Sequence, residues 1–75
     1  MKKNINHKIY NTDDCEVIGT KDAKNIFFAL LKASDGAYLE YYLNNEGGEF
    51  LFISSEPEKF GQLMHLSEKK IKARI

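Results

Sequence analysis

The side chains of this 75-residue sequence best suited to metal binding or nucleophilic chemistry are two histidines, one cysteine and a scatter of carboxylates. Their spacing supports neither chemistry. His7 and His65 stand far apart, and no His-x-x-x-His or Cys-x-x-Cys pairing exists, so a zinc site is not expected. Cys15 lacks a base placed by sequence to activate it, and a lone cysteine most often acts as a small buried hydrophobe. Asp13, Asp14 and Glu16 cluster, but calcium or magnesium needs more oxygen ligands on a loop of defined spacing. Gly47-Gly48 lacks the Lys-Ser/Thr or the glycine spacing of a phosphate loop and reads as a tight turn. No enzyme, no cofactor, no metal and no small-molecule substrate is inferred.

What remains is recognition. Tyr38, Glu40 and Tyr42 alternate on one side of an expected strand, and Glu46 and Glu49 follow around the next turn. Tyrosine is favoured at protein interfaces, where it gives contact area with few rotors lost. Aromatic residues on a sheet can also stack nucleic-acid bases, but Glu40 in the middle would repel phosphate. The remaining reading is that the stripe is simply covered by other parts of the chain.

Charge sharpens the choice. The net charge is zero but unevenly spread. Lys2, Lys3 and Lys8 give residues 1–8 a charge of +3; Lys69, Lys70, Lys72 and Arg74 against Glu68 give residues 61–75 another +3. Residues 9–60 sum to −6. An acidic body suits a basic partner, whereas a duplex binder shows a basic sheet or helix face. Tyr38, Glu40, Tyr42, Glu46 and Glu49 are therefore the protein-binding candidates. Lys69, Lys70, Lys72 and Arg74 are the nucleic-acid-binding candidates under the alternative.

The elements that must position these residues follow from the apolar pattern. Three runs, Ile26 to Leu31, Tyr38 to Leu43 and Phe50 to Ile53, are separated by turn residues. Periodicity alone leaves residues 22–33 as helix or buried strand. The hairpin signal Ser34-Asp35-Gly36 after them favours a strand over Ile26 to Ala33, with a loose turn at Lys21 to Asn25. Ala37 to Leu43 alternates cleanly, Asn44 to Gly48 is a turn, and Glu49 to Ser54 is the next strand. Lys8 to Tyr10 and Glu16 to Thr20 read as short edge strands, with Gly19 marking a bulge or strand end and Thr12 or Asp13 capping a helical turn between them. Ser55 to Glu58 reads as a capped helical turn stopped by Gly61, and Gln62 to Leu66 as a last short strand. Ser67 caps a C-terminal helix, with Leu66 and Ile71 as its staple pair. The expectation is an α+β fold. A small antiparallel sheet, made of a three-stranded central meander and short edge strands, carries a short C-terminal helix. Residues 1–7 form a basic tail and residues 8–75 a single domain.

Size and composition bound the rest. A hydrophobic fraction of 43% and a charged fraction of 29% are ordinary for a globular chain. So short a chain cannot easily cover both faces of such a sheet, which makes a homodimer or a hetero-complex an expected source of cover. One cysteine excludes an internal disulfide, no signal peptide is visible, and no stretch approaches a membrane span, so the expected compartment is the cytoplasm. Ten lysines against one arginine hint at an AT-rich genome.

Several segments, in order, resemble one family. Lys8-Ile-Tyr-Asn-Thr-Asp-Asp-Cys-Glu-Val-Ile-Gly resembles a Lys-x-Tyr-Asp-Thr-x-x-Ala-x-x-Ile-Ala opening. That opening belongs to small proteins common in Gram-positive bacteria, their phages and mobile elements. Leu30 to Gly36 followed by Ala37-Tyr38-Leu39 looks like the family's Leu-Tyr-x-Thr-x-x-Gly-x-Tyr-Phe hairpin. Asn45-Glu46-Gly47-Gly48 is similar to its Gly-Glu-Gly-Gly turn, and Leu66-Ser67-Glu68 to its Leu-Ser-Glu helix start. Cys15 stands where the family has alanine, Leu30-Leu31 replaces Leu-Tyr, and family members usually run on past the position of Ile75. The resemblance implies a phage or prophage context and brings no catalytic residues. By analogy with other very small acidic phage proteins, it implies an inhibitor of host defence, such as an anti-CRISPR protein. The expected partner is thus a host protein or protein–nucleic-acid complex.

Overall fold

The computed structural model describes residues 1–62. Polar residues begin it. Asn6 and His7 both take positive φ, 53° and 66°, as a two-residue primed turn requires, and this folds Lys2–Ile5 (β1) back on Lys8–Asn11 (β2). The segment expected as a basic tail is therefore half of a hairpin. Asn11 then caps a single 3₁₀ turn, Thr12–Asp14, its Oδ1 accepting from the Asp13 amide at 3.0 Å. The cap is Asn11, not Thr12 or Asp13.

Four strands follow as an antiparallel meander: Glu16–Ala23 (β3), Ile26–Lys32 (β4), Tyr38–Asn44 (β5) and Glu49–Ile53 (β6). The expected central meander had three strands. The structure adds β3, which is eight residues long rather than a short edge. Lys21, Asp22 and Ala23 extend it to a turn at Lys24 and Asn25, where a loose turn from Lys21 was expected. Of the bulge or strand end expected at Gly19, the structure has the bulge, and the strand continues past it to Ala23. The register shifts between Val17 and Gly19, and Ile18 is the extra residue. The β4–β5 and β5–β6 loops fall where Ser34-Asp35-Gly36 and Asn44 to Gly48 placed them. Gly36 and Gly47 supply the positive φ, 92° and 88°, that these turns need.

Strand alternation gives the sheet two faces. Leu39, Tyr41 and Leu43 of β5 share one with Phe27, Ala29 and Leu31 of β4 and Leu51 of β6. The β1–β2 hairpin lies on this hairpin face, with Met1, Ile5 and Tyr10 packed on the buried Ala29, Leu31, Leu39 and Leu51. The other face carries Phe28 and Leu30 with Tyr38, Glu40 and Tyr42, and Phe50 and Phe52 of β6. Onto it folds Pro57–Gln62 (α1), whose Phe60 packs on Ile18 and Leu30. The first helical bond runs from the Phe60 amide to the Glu56 carbonyl at 3.1 Å, so Glu56, rather than Ser55, holds the cap position. Gly61 lies inside α1 and does not stop it, and Gln62 is helical where a strand was expected to begin. The Ser67 helix and its staple lie outside the described residues.

The sheet's two edges are handled differently. The bulge twists the edge at β3, and Lys3 crosses the edge at β6. Its Nζ donates to the Leu51 carbonyl at 3.0 Å and sits 5.0 Å from the centre of the Phe52 ring.

Candidate functional site

Register brings together residues that sequence spacing does not. Asp22 of β3 pairs with Phe27 of β4, Phe27 with Leu43 of β5, and Leu43 with Glu49 of β6. These four form one row across the hairpin face, a carboxylate at each end and two apolar side chains between. The neighbouring row is Thr20, Ala29, Tyr41 and Leu51. The Tyr41 hydroxyl donates to Glu49 Oε2 at 2.8 Å, and its ring meets Phe27 edge-on at 6.4 Å between centroids. Burial, followed by that bond to Glu49, pushes the Tyr41 phenol up. A groove of about 180 Å3 opens beside the rows, lined by Val17, Thr20, Phe27, Ala29, Leu31 and Tyr41, together with Thr12. Glu46, in the β5–β6 turn, is exposed at the same end of the sheet. That turn is fixed to the β3–β4 turn by a bond from the Asn45 amide to the Asn25 carbonyl at 3.3 Å.

The five protein-binding candidates are thus divided. Glu49 faces the hairpin side and Glu46 projects from the turn, while Tyr38, Glu40 and Tyr42 lie on the helix face. There Glu40 is a hydrogen-bond node rather than a free charge. Tyr42 donates to its Oε1 at 2.7 Å and Ser54 Oγ to its Oε2 at 2.9 Å. Burial and the bond to Glu40 push the Tyr42 phenol up to about 12. The Tyr42 ring touches Phe28, Phe52 and Phe60 at centroid distances of 6.2, 5.9 and 5.9 Å. Asp22, Phe27 and Leu43 escaped the sequence reading. The available signal was the two-residue turn at Lys24 and Asn25, which fixes Asp22 opposite Phe27. Lys69, Lys70, Lys72 and Arg74, the nucleic-acid-binding candidates, lie outside the described residues, as does His65.

A second cleft, about 340 Å3, lies where the hairpin meets the β4–β5 loop. It holds Cys15 but is not arranged for nucleophilic chemistry. Burial, with Asp14 and Asp35 nearby, pushes the thiol up, away from the reactive thiolate. Its other polar groups form a latch. Lys8 makes an ion pair with Asp35 Oδ2, Tyr10 donates to the same oxygen at 3.1 Å, and the Ala37 amide donates to Oδ1 at 3.0 Å. Among the described residues, no group of three or more His, Cys, Asp or Glu is placed to hold a metal.

The latch is acid-sensitive. The Lys8 bond, then the Ala37 amide, lower the Asp35 carboxyl to about 2. A depressed carboxylate contributes stability above its ordinary range and loses it as pH falls through the folded value. The hairpin should therefore hold at pH 4 and loosen progressively toward about pH 2. A carboxyl-carbon NMR titration checks this. Asp35 should titrate near 2, and Lys8→Met should move its midpoint up toward the usual carboxylate range. Identical ordinary midpoints in both proteins would remove the latch.

Compared with protein-family models, with curated proteins and with solved structures, the chain matches none of them. No helix among the described residues is long and apolar enough to cross a membrane.

Proposed function

We propose that this chain is a small protein-binding module whose acidic end grips a basic protein surface. The observation that carries the reading is the row Asp22, Phe27, Leu43 and Glu49, an apolar strip with a carboxylate at each end and Glu46 beside it. Apolar area gives affinity at such a contact, and the rim charges give orientation and speed of encounter. The resemblance to small phage and mobile-element proteins suggests the partner: a nuclease complex of host defence in the bacterial cytoplasm. Such complexes carry basic surfaces for nucleic acid, and an acidic module seated there blocks them by occlusion. The module has no catalytic role in this reading.

The test is charge reversal. Asp22→Lys, Glu46→Lys and Glu49→Lys together should slow association by about tenfold or more at low salt and abolish inhibition of the nuclease complex, scored as phage survival on a defended host. Neutralising Lys69, Lys70, Lys72 and Arg74 should leave both nearly unchanged. A shift of plain duplex DNA at physiological salt, lost on that neutralisation, would instead establish the nucleic-acid-binding regulator.

A further inference from the structure

The β1–β2 hairpin leaves part of its own face bare. Along β3 that face reads Val17, Thr20 and Asp22, opposite Leu31, Ala29 and Phe27 of β4. Val17 is 55% exposed, although Leu31 beside it is buried. The groove of about 180 Å3 opens here, with Val17, Phe27, Leu31 and Tyr41 among its walls. Two hydroxyls on those walls are engaged elsewhere. Thr12 accepts from the Met1 amine at 3.1 Å and donates to the Met1 carbonyl at 3.3 Å, and Tyr41 donates to Glu49. An apolar cavity of about 150 Å3 takes a ring the size of benzene, so this groove has room for one aliphatic side chain.

Phe27 is also a wall of a second depression, about 250 Å3, between the β3–β4 and β5–β6 turns. Asp22 and Leu43 line it. Lys24 lines it too, but Asp22, with Glu46 and Glu49 close by, outnumbers that cation. On the reading that the acidic end binds protein, we infer that its occupant is an extended segment of a basic protein. One aliphatic side chain of that segment fills the groove, and an arginine or lysine two residues away enters the acidic depression.

The spacing follows from the strand. Thr20 at the groove and Asp22 at the depression are alternate residues of β3, about 7 Å apart. Alternate side chains of any extended segment stand the same distance apart on one face. Charge selects the partner. Nucleic-acid phosphates would meet Asp22, Glu46 and Glu49 and be repelled. A second copy would bring its own residues 9–60, which sum to −6, against the same carboxylates. A basic segment has the sign the depression attracts, and its aliphatic anchor supplies the buried apolar contact.

The test uses the full chain, labelled with ¹⁵N, and a blocked peptide of sequence glycine-leucine-glycine-arginine-glycine. Titrated to millimolar concentration, the peptide should shift the amides of Val17, Thr20, Asp22 and Phe27 saturably. Alanine in place of its leucine should weaken binding about tenfold or more, and glutamate in place of its arginine should abolish it. No saturable shift, or equal binding by the alanine peptide, would overturn the inference. Val17→Lys extends the test to inhibition of the nuclease complex. It closes the groove and leaves Asp22, Glu46 and Glu49 in place, so it should abolish both peptide binding and inhibition. Ile9→Lys makes the same change of charge on the hairpin, at a side chain 68% exposed, and should alter neither. Inhibition that survives Val17→Lys but is lost on reversing the three carboxylates would keep the protein-binding reading and remove the groove from it. Inhibition untouched by either change would remove both.

Discussion

Leu39→Ala should remove a large share of the protein's stability. Leu39 sits on β5, inside the sheet, fully buried against Leu31, Leu51 and Ala29. Truncating a buried leucine costs about 2–5 kcal/mol, from lost transfer energy and the cavity left behind. A domain of this size holds on the order of 4–11 kcal/mol in total. The change should therefore remove about a fifth of the stability at the least and most of it at the other end of these ranges, read as a fall in the urea midpoint with the slope preserved. Ile53→Ala is the matched control. Ile53 pairs with Leu39 across the same two strands but is 39% exposed, so it should cost about 1 kcal/mol or less. Equal shifts for the two variants would mean that the hairpin does not seal this face.

Glu40→Ala should be the most damaging change to a charged residue. It removes the acceptor for both Tyr42 and Ser54. Ser54 is buried, 7% exposed, so its hydroxyl is left without a partner, at a cost of about 1–3 kcal/mol. The Tyr42 hydroxyl loses the bond that, after burial, does most to hold its phenol near 12. An ultraviolet titration should show that phenol falling toward the ordinary value of about 10. The sign follows from linkage. A raised phenol contributes stability that is complete below the ordinary value and is lost as pH rises toward 12. Glu40→Gln keeps an acceptor oxygen and should fall between the two proteins. An unmoved Tyr42 titration in Glu40→Ala would show that the pair is not formed. Reversal of the exposed Glu46, in the β5–β6 turn, should by contrast leave the urea midpoint almost where it was.

The contrast between Glu40 and Glu49 shows where the sequence was readable. Turn chemistry at Ser34-Asp35-Gly36 and Asn44 to Gly48, with alternation from Ala37 to Leu43, is local, and it located β4, β5 and β6. β1 was missed because Lys2, Lys3 and Asn4 present no apolar alternation. Its only trace was Asn6-His7, a pair that tolerates positive φ. The far half of β3 was missed because Lys21 and Asp22 sit at a sheet edge, where a polar strand resembles a loop. The candidate row could not be read from spacing. Asp22 and Glu49 are brought to the two ends of one row by three successive registers, each set by the turn before it. The same limit explains Glu40. Its place in an alternating stripe was visible, but the hydroxyls that bind it come from Tyr42 and from Ser54 beyond β6.

The plain order β3-β4-β5-β6 has a kinetic meaning. Every ladder in the main sheet joins strands adjacent in sequence, through turns of two to five residues. Each closure is short, so its entropic barrier is low, and each new strand finds a template already in place. The chain can zip from any one of its three turns without searching for a distant mate, unlike the interleaved strands of a sandwich. The slower event is then the arrival of the amino-terminal hairpin on a sheet that already exists. Lys8 and Tyr10 must find Asp35, and a stopped-flow trace should divide into a fast sheet phase and a later docking phase that Lys8→Met alone retards.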